Sequence, residues 1–268
     1  MNYEQGQDDE FALSEKIANV ILIFLLLVRL VDQYIPLWIF GAIPDWYRHW
    51  YTGIGYILTA AIVWLNRHRL AALNIDRPFM IILILGGVFH AFLLNHGVGT
   101  FVGITTGLIF FAYQTNQLAV NHPVPYPRGT RLLIFLTILL ALAPVILFQL
   151  KLKTSLDLNT FITTFSGILV TNLAVIIFEE VLFRGALWAG VRSLGLGEQA
   201  AFYAQAILFW ISHHGFLFLP NPYLFWVSIP IVAILLGLIT WRSKSLTPST
   251  IGHFSYNFIS QLLVRIFE

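Results

Sequence analysis

Cysteine is absent, which excludes disulfides and cysteine-ligated metal centres and leaves the compartment open. Charge is scarce: Asp, Glu, Lys and Arg make up 10% of the chain, against roughly 25% in an average soluble domain. What charge there is sums to +2 and is scattered among loops, so no basic stripe points to nucleic acid. The alternating ~10-residue strands of a transmembrane barrel are missing. So are the zinc-protease pattern HExxH and a serine in a GxSxG setting. The first sixteen residues hold Glu4, Asp8, Asp9, Glu10 and Glu15 against Lys16, which is no basic signal-peptide start, and the first apolar run is expected to stay as an anchor.

What fills the chain is hydrophobic: 58% of residues, with a mean hydropathy of +0.79. About 20 apolar residues span a bilayer as a helix, and such runs succeed one another here with short polar breaks. The expected fold is all-α, a polytopic transmembrane helical bundle of about eight to nine spans. Candidate spans run near 17–31 with an extension to 40, then 51–65, 79–94, 98–113, 132–149, 161–184, 200–213, 223–240 and 248–267. With nine spans Lys16, Arg67, Arg69, Arg77, Arg128, Arg131, Arg192, Arg242 and Lys244 fall on one side, which the positive-inside rule makes cytoplasmic together with the amino terminus.

Pro123, Pro125 and Pro127 interrupt the helical pattern and suggest a boundary. The expected organisation is an acidic tail over 1–16, accessory membrane helices over 17–128 and a catalytic membrane domain over 129–268. In the first half Gly99, Gly103 and Gly107 put a smooth stripe on one helix face for close packing. His90 and His96 read as interfacial histidines, and Trp46, Tyr47, Trp50 and Tyr51 as an aromatic belt.

Between Arg77 and Gly197 the only carboxylates are Asp157, Glu179 and Glu180, and the last two end a long apolar run. An ionisable side chain at mid-bilayer costs on the order of 2.5–3.5 kcal/mol, so such groups are usually paired and inward-facing. At about 100° per residue Glu180 and Arg184 share a helix face and Glu179 stands off it. Glu180 is then free to neutralise Arg184 while Glu179 faces a cavity as a base. The competing reading has all three snorkelling to an interface. A second cluster ends the next run, with His213 and His214 following Phe209; either histidine reaches inward or both are interfacial. A third lies in a helix read as capped by Thr247 with Pro248 at its first position. There His253 and Asn257 stand one turn apart on one face, as two donors to an oxyanion or as a hydrogen-bonded pair gluing the bundle.

Together the clusters resemble the CAAX prenyl endopeptidase and bacteriocin-processing family, the glutamate-type intramembrane proteases also called the abortive-infection family. EExxxR matches Glu179, Glu180 and Arg184; FxxxH matches Phe209 and His213; HxxxN matches His253 and Asn257. The resemblance implies a multi-pass peptidase of a prokaryotic cytoplasmic membrane. It implies that Glu179 and His213 activate water, His253 and Asn257 hold the oxyanion, and Glu180 and Arg184 brace the helix. No cofactor is expected. The expected partners are the lipid bilayer and a membrane-tethered, prenylated or tail-anchored protein substrate; oligomeric state is left open. A metal held by the same residues stays as the alternative mechanism. A non-enzymatic transporter or immunity factor is the alternative class, since buried Glu, Arg and His also mark transport pathways.

Overall fold

Long apolar stretches favour helices that satisfy their own backbone groups without water. The computed structural model describes residues 17, 20–24, 26–28, 55–56, 58–66, 70–94, 126–147, 157–218 and 223–267. Among the described residues there is no β-strand. The first half contributes helical residues within 17–28 and 55–65 and helix α1 (Arg77–Leu94). Then come α2 (Thr130–Leu147), α3 (Leu158–Thr171) and α4 (Leu173–Glu179), which runs through a π-helical turn, Glu180–Leu187, into α5 (Trp188–Ser193). Helix α6 (Gly197–Ser212) ends in a 3₁₀ turn, His214–Phe218; a second π turn, Leu224–Ser228, opens α7 (Ile229–Ser243), and α8 (Leu246–Ile266) closes the chain.

The span expected over 161–184 is not one straight helix. It breaks at Asn172, where the C-cap N–H of α3 still bonds Ile168 O at 2.9 Å, and the two pieces bend by 47°. Thr171 and Asn172 are both poor helix formers, which eases the break there. Asp157 caps the start of α3 by accepting from Thr160 N at 2.6 Å. The cap of α8 is Ser245 and not Thr247: Lys244 takes φ 52° to end α7, and the extended Ser245 accepts from Thr247 N at 3.1 Å. Pro248 therefore lies in the first turn, where its missing N–H costs no helix bond.

Helix α8 sits centrally, packed against α2, α3, α4 and α7, and α6 packs against α5 and α7. The main core joins both halves of the chain: Leu73, Phe79 and Met80 pack with Ile177, Leu182, Phe183, Trp188 and Phe209. Outside, large apolar side chains are exposed at helical spacing, including Leu132, Phe135, Leu139 and Ile146 on α2 and Tyr203, Ile207 and Ile211 on α6. Inside, Glu179, Glu180, Arg184, Gln205, Ser249 and His253 are buried. A water-soluble fold rarely presents so much contiguous apolar surface, and the distribution suits lipid. Leu224–Ser243 is long and apolar enough to cross a bilayer, and the bent pair Leu158–Leu169 with Leu173–Ser193 passes the same test together. The span at 98–113, the glycines 99, 103 and 107, His96, the aromatics 46–51 and Pro123 and Pro125 lie outside the described residues, so the eight-to-nine count includes segments beyond them. His90 lies within α1.

Candidate active site

The centre of the bundle is assembled from three helices that meet side on. Helix α4 is apolar and buried up to Glu179, and at Glu180 the chain passes into π-helical geometry. A π turn bonds i to i+5 in place of i+4, so the even 100° rotation expected over 179–184 does not hold there. The i,i+4 pair survives the wider turn: Arg184 Nη1 donates to Glu180 Oε1 at 3.2 Å, and neither side chain has any exposure. The same Oε1 accepts from His253 Nδ1 at 2.9 Å. Sequence spacing gave Glu180 one partner; it has two, and the second comes from α8.

Phe209, which entered only as the first letter of a motif, packs at the middle of this set. The Arg184 guanidinium carbon lies 4.1 Å over its ring, a cation–π contact in a buried setting. Its ring centroid is 4.4 Å from that of His213, 5.7 Å from that of His253 and 5.4 Å from that of Phe183. Arg184 is thus held on one side by a carboxylate and on another by an aromatic face.

The imidazole hydrogen bonds fix which nitrogen carries a proton. His213 Nδ1 lies 2.7 Å from Phe209 O, and a carbonyl only accepts, so Nδ1 is the donor. In the neutral ring Nε2 then bears the lone pair, and it sits 3.8 Å from Glu179 Oε1. His253 likewise donates from Nδ1 to Glu180, and its Nε2 sits 3.8 Å from Glu179 Oε2. Each oxygen of Glu179 therefore faces one imidazole. Both separations exceed a direct hydrogen bond.

This geometry separates competing chemistries. Ser212 Oγ is 3.3 Å from His213 Nδ1, but that nitrogen already holds its proton on Phe209 O and cannot act as a base. The Ser212 hydroxyl is itself committed to Phe209 O at 2.7 Å, so the pair is not a serine–histidine dyad. Among the described residues no group of three or more His, Cys, Asp or Glu is placed to hold a metal ion.

Glu179, Glu180, Arg184, His213 and His253 are therefore brought together. Asn257 is half-buried one turn beyond His253 on α8, about 6 Å further along the axis. His214 turns away, donating from Nδ1 to Ile211 O at 2.9 Å. Sequence reasoning passed over Asn74 and Asp76. Asn74 Nδ2 donates to Arg184 O at 2.8 Å, and Asp76 accepts from Thr247 Oγ1 at 2.7 Å and from Ser245 Oγ. Their one local signal is the hydrophilic Asn-Ile-Asp stretch before Arg77-Pro78, which reads as an ordinary turn and helix cap.

The family model of Rce1-like type II CAAX prenyl endopeptidases matches residues 161–259. That stretch runs from α3 into α8 and contains all three motifs and every residue of the cluster except the Asn74 and Asp76 contacts. A search of curated proteins gives no match, and neither does a search of solved structures. The buried carboxylate and histidine cluster, the lipid-suited exterior and the family match agree: through residues 161–259 the chain is similar to the CAAX-protease family of integral membrane peptidases.

Proposed function

We propose that the chain is a glutamate-type intramembrane endopeptidase that hydrolyses a peptide bond in a membrane-tethered protein, with Glu179 and His213 activating water. The observation that carries this reading is the buried Glu179 carboxylate with one imidazole Nε2 at 3.8 Å from each oxygen. A water held between Glu179 and His213 Nε2 donates its two protons to these two acceptors and turns a lone pair towards a substrate carbonyl. Glu179 takes a proton as the oxygen attacks, and the proton goes on to the leaving amine as the peptide bond breaks. His213, its Nδ1 fixed by Phe209 O, holds the water in line.

His253 and Asn257 are assigned to the oxyanion. For His253 to donate there its ring must carry both protons, Nδ1–H on Glu180 and Nε2–H towards the substrate. The buried charges of Glu179, Glu180, Arg184 and His253 then sum to zero, which suits a site without solvent. Asn257 lies one turn from His253 on the same helix and supplies the second donor once a substrate carbonyl extends along α8.

Support for the topology comes from where the basic residues meet. Arg242 donates to Arg128 O at 3.2 Å, Arg192 and Lys244 share Glu198, and Arg77 adjoins the Asp76 contacts to Ser245 and Thr247. Residues that the loop alternation assigns to one side thus gather at one end of the bundle. We read that end as cytoplasmic, within a bundle of eight to nine spans whose amino terminus is on the same side. His253 lies about 11 Å beyond it along α8, within lipid depth. The substrate class that fits is a protein with a prenyl or transmembrane tail, because only such a chain brings a peptide bond to that depth.

The test is cleavage of membrane-tethered peptides by the purified protein in detergent. E179Q is expected to keep its yield and melting temperature and to lose cleavage by at least ~100-fold, the lower end of general-base contributions. Full activity of E179Q refutes the assignment.

A further inference from the structure

We infer that Asn74 and Asp76 are positioning residues that set the register between the helix carrying Glu179 and the helix carrying His253. The inference rests on the reading of Glu179 and His253 given above. Both residues come from the first half of the chain, outside the matched stretch 161–259.

Asn74 is buried and bonded to both helices at once. Its side-chain Nδ2 donates to Arg184 O at 2.8 Å, while its own carbonyl accepts from Leu246 N, the first residue of α8, at 2.8 Å. To do so it adopts a left-handed backbone, φ 57°, which asparagine tolerates better than most residues. Two residues on, Asp76 takes hold of the same end of α8 through Ser245 Oγ and Thr247 Oγ1, and of α1 through Phe79 N at 3.0 Å. Gly185 lets this segment come close: a Cβ there would lie 3.2 Å from Leu73 O.

Apolar packing between helices is non-directional and tolerates sliding, whereas hydrogen bonds to a fixed carbonyl and a fixed N–H do not. From the Asn74 contacts, Glu179 lies about 8 Å along one helix and His253 about 11 Å along the other. A slide of one helix transfers directly to the distance between Glu179 Oε2 and His253 Nε2, now 3.8 Å. Misplacement by about 1 Å costs up to ~100-fold in rate.

The experiment compares N74G, N74D and D76N with E179Q and wild type in the peptide-cleavage assay, with kcat expressed per folded protein. N74G keeps the left-handed backbone and removes only the amide; N74D turns a carboxylate oxygen against Arg184 O. N74G and D76N are expected to lower kcat by ~10-fold or more with KM within about 2-fold, and N74D to lower it further. A purely structural role lowers the yield of folded protein and leaves kcat per folded molecule unchanged. Because the chain has no cysteine, spin labels on cysteines introduced at the exposed Ser193 and Ile251 report the helix spacing without catalysis. Their distance distribution is expected to broaden in N74G. Wild-type kcat and an unchanged distribution in both N74G and D76N overturn the inference, and D76N decides alone if N74G does not accumulate. If E179Q is inactive while both are fully active, the inference fails and the site reading stands; if E179Q is active, the site reading itself fails.

Discussion

Replacing Glu180 by glutamine keeps the side chain's shape and removes one buried charge. Arg184, with no exposure, then faces Phe209 and a neutral amide, and breaking a buried pair in this way costs about 3–5 kcal/mol. R184M leaves Glu180 uncompensated except by His253 and is expected to cost a similar amount. The double replacement E180L/R184M removes both charges together, and well-packed apolar substitutes are typically neutral or stabilising by about 1–4 kcal/mol. Against that, His253 Nδ1–H loses the acceptor it has at 2.9 Å, a buried orphan donor costing about 1–3 kcal/mol. The two terms nearly cancel, so the double variant is expected to melt close to wild type in detergent while each single variant melts well below it. Cleavage behaves differently. The His253 ring loses the hydrogen bond that orients it once Glu180 is gone, so the double variant is expected to be stable and inactive. Stabilities of the single variants that simply add in the double refute the pairing energetics. Wild-type cleavage by the double variant refutes the role given to Glu180 in orienting His253.

Two further outcomes follow from the same contacts. The Glu198 carboxyl is held below the usual range: burial pushes it up, but the Trp188 Nε1–H bond, then Lys244 and Arg192, outweigh that. A depressed folded-state value means the stabilisation is present above the unfolded value near ~4.3 and lost as pH falls through the folded one, so melting temperature should drop there in wild type and less in E198Q; parallel curves contradict this. F209A is expected to lose about 3–5 kcal/mol from a cavity under Arg184, and F209L less but with the cation–π share of about 0.5–2 kcal/mol gone. Thermal melts check both, and F209L as stable as wild type removes the role given to the ring.

The all-helical fold was legible from the apolar runs, and the likeness to the family from three short motifs. Glu180 and Arg184 at i,i+4 were legible too, because that contact is local and the π turn does not break it. The break at Asn172 was not, since an apolar run of suitable length hides a single weak point within it. The Glu180–His253 bond joins residues 73 apart, and the Asn74–Arg184 bond joins residues 110 apart. No window of sequence carries such a signal. Asn74 and Asp76 read as turn chemistry because locally they are turn chemistry; their other partners exist only after the helices pack. Thr247 drew attention as a cap through Pro248, while the left-handed Lys244 moved the cap to Ser245.

The buried polar set is best understood as one unit. Arg184 needs Glu180, Glu180 needs both Arg184 and His253, and His253 stands between the two glutamates at 2.9 and 3.8 Å. Each member in isolation would be costly in a lipid-embedded core, yet removing any one member leaves its neighbours uncompensated. Losses from single substitutions at these positions will therefore exceed the stability of the whole when summed, since contacting residues couple by about 0.5–3 kcal/mol. The same coupling explains why the unit is tied at its periphery by directional contacts and not by packing alone. A cluster whose members neutralise one another only at fixed separations gains nothing from a bundle free to slide. Asn74 and Asp76 supply that constraint at the basic end, and Phe209 supplies it at the centre, where one ring touches Arg184, His213 and His253.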